Sequence, residues 1–337
     1  MNPRIPESFG WVEDMTKLII QVPCYNEEGT LGYTLSAIPR EVTGIDKVEW
    51  LIVDDGSTDR TVEVASAHQV DHIIRLFQHQ GLSRAFVAGL EASLRAGADI
   101  IVNLDADNQY CADDIPKLIT PILSGKAEIV IGIRPISEIG HFPLIKKLLH
   151  KLGSSTVRFA SKTKIPDAPS GFRAMSRDAA MRLNVFNEYT YTLETIIQAG
   201  QKGMAITSVP IRINEVLRPS RLVKSIPYYI KQSIITIIRI SVVYKPFRFF
   251  MIIGILLFAF GFLLGLRFLY YYYITGQGSG HIQSLLLASI LLGIGFQTML
   301  VAFLADLQAV NRRLMEDVQY RLRKNETETP HDYGSGV

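Results

Sequence analysis

Cysteine is nearly missing: the 337 residues hold two, Cys24 and Cys111. Two thiols cannot build a disulfide framework, so both fit a reducing compartment as small packing residues. A strong charge of one sign is missing too. The 35 Lys and Arg against 32 Asp and Glu leave a formal net charge of +3, which gives no electrostatic footprint for a nucleic-acid partner, and none is expected. Met1 to Thr16 contains no apolar run of the signal-peptide kind, so the domain that follows is expected on the cytoplasmic side. No Gly-x-Gly-x-x-Gly run and no Walker phosphate loop occur, which speaks against a dinucleotide enzyme or an ordinary P-loop ATPase.

Long apolar runs, by contrast, are present. From Phe247 to about Leu266 the chain is almost purely apolar, long enough as a helix to cross ~30 Å of hydrocarbon. Arg248 stands at its start, and Arg267 near its end has a stem able to snorkel toward headgroups. Tyr270, Tyr271, Tyr272 and Tyr273 follow in the manner of an interfacial aromatic belt. A turn over Thr275–Gly280 leads to a second span, about Ile282 to Ala305. The turn has no Lys or Arg, whereas Lys231, Arg239, Lys245 and Arg248 precede the hairpin and Arg312, Arg313, Arg321, Arg323 and Lys324 follow it. Positive-inside bias therefore predicts an integral membrane protein with two spans, its main domain and both termini cytoplasmic. The sequon Asn325-Glu326-Thr327 then falls in a cytoplasmic tail and should be silent.

Ahead of the hairpin, short apolar runs alternate with helical patterns. Leu18–Val22, Trp50–Val53 and Ala98–Leu104 read as strands, and Glu28–Ile38, Thr61–Ala67 and Ser83–Ala96 as helices. That alternation predicts an α/β domain with a mostly parallel sheet and ligands at the strands' carboxyl ends. Three polar clusters fall there: Pro23 to Glu27, Asp54 to Ser57, and Asp105-Ala106-Asp107. Residues two apart on an extended segment face one side, so Asp105 and Asp107 can address one ligand. Alone the pair reads first as a solvated acidic turn; beside the other clusters it suits a hard cation such as Mg²⁺ or Mn²⁺.

Two further segments are amphipathic. Over His141–Lys162, Leu144, Ile145, Leu148, Leu149 and Leu152 recur at helical spacing, with Lys146, Lys147, His150 and Lys151 opposite. Ile226–Val243 repeats the theme, flanked by Lys224 and carrying Lys231 and Arg239. Both suit the surface of a lipid bilayer. The expected organisation is an extension over 1–15 and the α/β domain over 16–214, including an interfacial helix at about 141–162. A juxtamembrane segment over 215–245, the hairpin over 246–306 (spans 247–266 and 282–305) and a tail over 307–337 complete it.

The blocks Val22-Pro23-Cys24-Tyr25-Asn26-Glu27-Glu28, Val53-Asp54-Asp55-Gly56-Ser57-Thr58-Asp59 and Asp105-Ala106-Asp107-Asn108-Gln109 resemble the signatures of family 2 glycosyltransferases. Gly132-Ile133-Arg134, Asp167-Ala168-Pro169-Ser170-Gly171-Phe172-Arg173 and Arg218-Pro219-Ser220-Arg221-Leu222 narrow it to the branch of dolichol-phosphate mannose synthase and bacterial polyprenyl-phosphate glycosyltransferases. The resemblance covers residues 16–245. It implies a GT-A, Rossmann-like fold and inverting transfer of a sugar from a nucleotide-sugar donor to polyprenyl (undecaprenyl or dolichyl) phosphate. UDP is favoured over GDP because the hairpin is of the bacterial type.

By that resemblance Pro23, Tyr25, Glu27 and Asp55 frame the nucleobase and ribose. Asp54 and Asp59 are weaker choices, since Asp in such turns often caps the next helix. Asp107 is the expected metal ligand and Gln109 its neighbour, with Asp105 on the metal or the ribose, and Ala106 lies between them in the donor site. Arg134 is expected on a phosphate, where a guanidinium grips bidentately. Ser170 and Arg173 are expected at the substrate. Arg218 and Arg221 fit the donor diphosphate, the lipid phosphate or anionic lipids alike. Asp167 fits a general base, a positioning residue or the start of a capped turn. A homo-oligomer is left open. The alternatives are a processive polysaccharide synthase, against which the missing Gln-x-x-Arg-Trp block weighs, and a catalytically silent membrane scaffold or lipid transporter.

Overall fold

The computed structural model describes residues 15–135, 158, 161, 163, 165–185, 191–214, 235, 238, 239, 242–274 and 282–328. Arg218, Arg221, the hairpin turn and nearly all of the amphipathic segments at 141–162 and 226–243 lie outside these residues. The chain divides into two compact units: Met1–Arg221 with Arg323–Val337, and Leu222–Leu322.

In the first unit, β1 (Lys17–Cys24), β2 (Lys47–Asp54), β3 (His72–Arg75), β4 (Ile100–Asn103), β5 (Ile129–Ile133), β6 (Arg173–Ser176) and β7 (Ile206–Pro210) form one sheet in the order β3-β2-β1-β4-β6-β5-β7. β1, β2, β3 and β4 pair in parallel, as do β5 and β7, while β6 runs antiparallel between β4 and β5. β1 and β2 are buried along most of their length, which is why they read as near-continuous apolar runs rather than alternating ones. Their helices are α1 (Leu31–Ala37), α2 (Thr61–Ala67), α3 (Leu82–Arg95), α4 (Ile115–Leu123), α5 (Arg177–Arg182) and α6 (Tyr191–Gln201).

Helices cover the sheet with spaced apolar stripes. α3 buries Phe86, Leu90 and Leu94, one residue per turn. Phe86 stacks on Tyr191 of α6, with ring centroids 3.9 Å apart and planes 8° apart; such a pair adds about 0.5–1.5 kcal/mol beyond its burial. A core cluster joins Leu18, Ile20, Val22, Ile52 and Val102 of the sheet to Leu31 and Leu35 of α1 and Ile115, Leu118 and Ile119 of α4. The sheet order reverses at β1, since β2 lies on one side and β4 on the other. In open α/β sheets the crevice beyond the carboxyl ends at such a reversal receives ligands.

The second unit holds α7 (Pro246–Ile274), which continues past the expected end at Leu266 through all the tyrosines. α8 (Ile282–Glu328) begins in this unit, and its 47 residues far outrun the span expected to end at Ala305. At 1.5 Å per residue it is about 70 Å long, more than twice the hydrocarbon thickness. Polar sequence does not end the helix there, because side chains at i and i+4 pair, as in Asp317–Arg321 at 3.0 Å. Both helices are long and apolar enough to cross a membrane. They approach closely at Gly295, where a Cβ would stand 2.6 Å from the Phe258 nitrogen.

Candidate active site

The site is built on the loop after β4. Leu104 donates its N–H to the Gln21 carbonyl (3.0 Å), extending the pairing with β1. Ala106 then turns into the core, and its carbonyl accepts from Thr34 Oγ1 at 3.0 Å. Asp105 and Asp107 flank it, both half-buried. Asp107 Oδ1 accepts the Gln109 N–H (3.1 Å), and Asn108 adopts φ 56°, a left-handed turn that Asn tolerates. Asn214 braces this turn. Its Nδ2 reaches the carbonyls of Asn108 (3.0 Å) and Tyr110 (3.2 Å), and its backbone N–H bonds the Gln109 carbonyl at 2.9 Å.

Burial first, then the negative charge of Asp107, push the Asp105 pKa up to about 7; the Arg134 and Arg173 charges pull it back and Glu27 adds to the push. The pair is therefore short of positive charge, and a cation between or beside the carboxylates relieves it. Among the described residues no group of three or more His, Cys, Asp or Glu side chains forms a metal site. Asp105, Asp107 and Gln109 carry hard oxygen atoms on one loop, the donor chemistry that divalent cations take. Tyr110, on the same loop, has its hydroxyl pushed up to about 12, by burial foremost and by Asp105 next, and stays protonated at neutral pH.

Arg134 follows β5 and grips Asp167 bidentately, Nε to Oδ2 at 2.8 Å and Nη2 to Oδ1 at 2.9 Å. Its backbone N–H also reaches Oδ2 at 3.2 Å. Asp167 is 1% exposed. Burial alone would lower the Arg134 pKa, but the hydrogen bonds to Asp167 and the nearby negative charges raise it, so the guanidinium stays charged. The Asp167 carboxylate thus holds Arg134 through both of its oxygens.

Arg173, expected at the substrate, is packed inside the protein, and its charge acts on Asp105. It is 0% exposed, and its guanidinium donates to the carbonyls of Thr192 and Ser170 and to Thr195 Oγ1. It ties the turn 167–173 to α6, while its Nε makes no hydrogen bond. Ser170 is likewise fully buried, and its Oγ makes no hydrogen bond.

Pro23, Tyr25, Glu27 and Asp55 do come together, at the adjacent ends of β1 and β2. Pro23 lies buried in register with Val53. Asp55, 2% exposed, accepts the N–H groups of Gln80 and Gly81, each at 2.8 Å, and sits 2.8 Å from His79 Nδ1. His79 in turn stacks on Tyr25, with centroids 3.8 Å apart. Asp55 therefore holds the loop that brings His79 to the aromatic wall. Glu27 Oε2 accepts from Thr30 Oγ1 (2.6 Å). Asp54 accepts the Ser57 N–H (2.9 Å) and lies 3.2 Å from Arg75 Nε, while Asp59 accepts the N–H of Thr61 (3.0 Å) at the start of α2.

Several supporting residues stand outside every block of the sequence. Asn103 Nδ2 bonds the Gly171 carbonyl (3.0 Å) and Tyr191 Oη (2.9 Å), and its Oδ1 accepts from Gln21 Nε2 at 2.9 Å. The readable signal was an amide in each of two otherwise apolar strands, since a buried amide needs partners. Asn214 and His79 carry no such signal, because each acts on a loop distant in the chain.

A mainly parallel sheet with carboxylates and a paired arginine at its ligand-binding edge, on a chain with two membrane-length helices, defines a GT-A-like glycosyltransferase. Residues 19–183 match the profile of Glycosyl transferase family 2. The chain belongs to that family. It is 31% identical to the UDP-N-acetylglucosamine–dolichyl-phosphate N-acetylglucosaminyltransferase of Methanococcus voltae, over 57% of this chain and 83% of that protein. With the undecaprenyl-phosphate mannosyltransferase of Micrococcus luteus the identity is 27%, over 59% of this chain and 84% of that protein. Among solved structures, glucosyl-3-phosphoglycerate synthase of Mycobacterium tuberculosis, in complex with Mn²⁺, UDP-glucose and phosphoglyceric acid, superposes with a TM-score of 0.55. That match covers 68% of this chain and 80% of the other at 20% identity, and it shows a shared fold.

Proposed function

We propose that this protein is a membrane-bound, inverting glycosyltransferase that moves a sugar from a nucleotide-sugar donor, a UDP-sugar by preference, to polyprenyl phosphate. The observation that carries the reading is the juxtaposition of Asp105 and Asp107 with the Arg134–Asp167 pair at the ligand-binding edge of the sheet. The relatives named for polyprenyl-phosphate transfer support the acceptor, and the two membrane-length helices suit a lipid that resides in the bilayer.

In this reading the β1 and β2 ends, with Tyr25, Glu27, Asp55 and His79, receive the nucleoside. Asp105, Asp107 and Gln109 would hold a divalent cation, Mg²⁺ or Mn²⁺, which when bound neutralises the donor diphosphate. Arg134, fixed by Asp167, offers a permanent positive charge to a phosphate. The acceptor phosphate oxygen forms a bond to the anomeric carbon, and the bond to the donor diphosphate breaks on the opposite face. A phosphate monoester has a second pKa near ~6, so the attacking oxygen is largely ionised at pH 7 and needs no general base. The task left to the protein is to hold two anionic groups close together, which charge and fixed geometry accomplish. Arg218 and Arg221 belong to the same phosphate-binding role.

Thermal unfolding in detergent tests the donor assignment. UDP with Mn²⁺ should raise the midpoint by several degrees, and more than GDP with Mn²⁺ or UDP with a chelator. No response to any nucleoside diphosphate with metal would exclude the enzyme reading.

A further inference from the structure

Gly171 lies outside every role assigned above, yet the space its side chain would fill is taken by the Asp105 carboxylate. A Cβ on Gly171 would stand 2.6 Å from Asp105 Oδ2 and 2.7 Å from Oδ1, inside the contact distance of any real side chain. The peptide groups on both sides of Gly171 are pinned. Its N–H donates to Tyr110 Oη (3.1 Å), and its carbonyl accepts from Asn103 Nδ2 (3.0 Å). Tyr110 belongs to the acidic loop itself and stacks on Phe172, with centroids 5.3 Å apart. Asn103 ends β4, two residues before Asp105, and is held by Gln21 and Tyr191. The backbone at 171 is thus fastened to both ends of the segment that carries Asp105, and it forms a wall against that carboxylate.

We propose that Gly171, clamped by Asn103 and Tyr110, is a positioning residue that sets where the Asp105 carboxylate stands and so tunes the affinity of the acidic pair for a divalent cation. The inference rests on the metal reading given under Proposed function. A Cβ at this position would press on the Asp105 carboxylate, and because two hydrogen bonds hold the peptide in place, it is the carboxylate that must move. The same turn begins at Asp167, so the wall on Asp105 and the anchor of Arg134 are parts of one short segment.

The test titrates Mn²⁺ into the full-length protein in detergent without donor, reading free Mn²⁺ by its paramagnetic resonance signal. Gly171→Ala should weaken Mn²⁺ by about tenfold or more, the scale of losing a support behind a metal ligand. Tyr110→Phe, which keeps the ring stack and removes one hydrogen bond, should weaken it in the same direction by less. In an Asp105→Ala background, where the clash is gone, Gly171→Ala should leave both Mn²⁺ affinity and the melting midpoint unchanged. Wild-type Mn²⁺ affinity in folded Gly171→Ala and Tyr110→Phe, with Asp107→Asn binding weakly, would overturn the positioning role alone. If the wild type takes up no Mn²⁺, or Asp107→Asn binds it equally well, the metal reading itself falls. A lowered melting midpoint with unchanged Mn²⁺ affinity would mark a merely structural glycine and also overturn the proposal.

Discussion

At the scale of single residues, neighbouring charges decide what each carboxylate can do. Asp107 is half-buried, with one oxygen accepting the Gln109 N–H. Asp107→Asn keeps that hydrogen bond and removes the charge, so kcat should fall about 10²-fold or more while the melting midpoint shifts by only a few degrees; paired rate and melting measurements check this. Asp167 makes the opposite case. Its three contacts with Arg134 predict that Asp167→Asn lowers activity without removing an ionisation from the pH–rate profile, whereas a general base would take its acid limb with it. Arg134→Ala removes two side-chain hydrogen bonds and a charge from beside the buried Asp167 carboxylate, and chemical denaturation should show a loss of about 1.5–3 kcal/mol. Arg173 shows what a motif leaves out: it stands in the block with Asp167, and its guanidinium is buried among Thr192, Thr195 and Ser170. Charge in a sequence reveals neither burial nor partner.

Among elements, the parts with strong periodicity or turn chemistry were legible. α2 spans Thr61–Ala67 as its pattern and its leading Asp59 predict, and β1 and β2 contain the expected runs with a residue or more added at each end. β3 was missed because its residues alternate between half-buried and exposed over only His72–Arg75, too short for a pattern. β6 was missed for a different reason: its partners are distant in the chain, Ile100 with Ser176 and Ile129 with Met175. The brace of the acidic loop by 211–214 has the same origin. It is anchored by Arg212, whose Nη2 lies 2.9 Å from Asp114 Oδ1. Burial would raise the Asp114 pKa, but hydrogen bonds from Arg212 and Lys117 outweigh it and hold the carboxyl at about 2. This carboxyl therefore contributes stability that is full above the unfolded pKa of about 4 and is lost as pH falls toward 2. Melting curves from pH 6 to pH 2 should show a shallower acid decline in Arg212→Ala than in the wild type; parallel declines would contradict the anchor.

For the whole molecule, the two membrane-length helices were legible from hydropathy, but their extent was not, because helix continues wherever polar residues still pair at i and i+4. The charge bias predicts one orientation. In a Cys111→Ser background, Ser279→Cys should react with an impermeant thiol reagent only from outside the cell, and Ser335→Cys only after the inner face is opened. The reverse pattern would put the acidic site on the wrong side for cytoplasmic nucleotide sugars. The central claim is sugar transfer to a lipid phosphate, and weighing the lipid tests it most directly. Purified protein is incubated with Mn²⁺, undecaprenyl phosphate and a panel of UDP- and GDP-sugars, and the extracted lipid is analysed by mass spectrometry. The account predicts a single new species, heavier than the acceptor by one sugar residue, formed with one donor and absent with Asp107→Asn. Unchanged lipid with every donor, from protein that binds UDP and Mn²⁺, would contradict it.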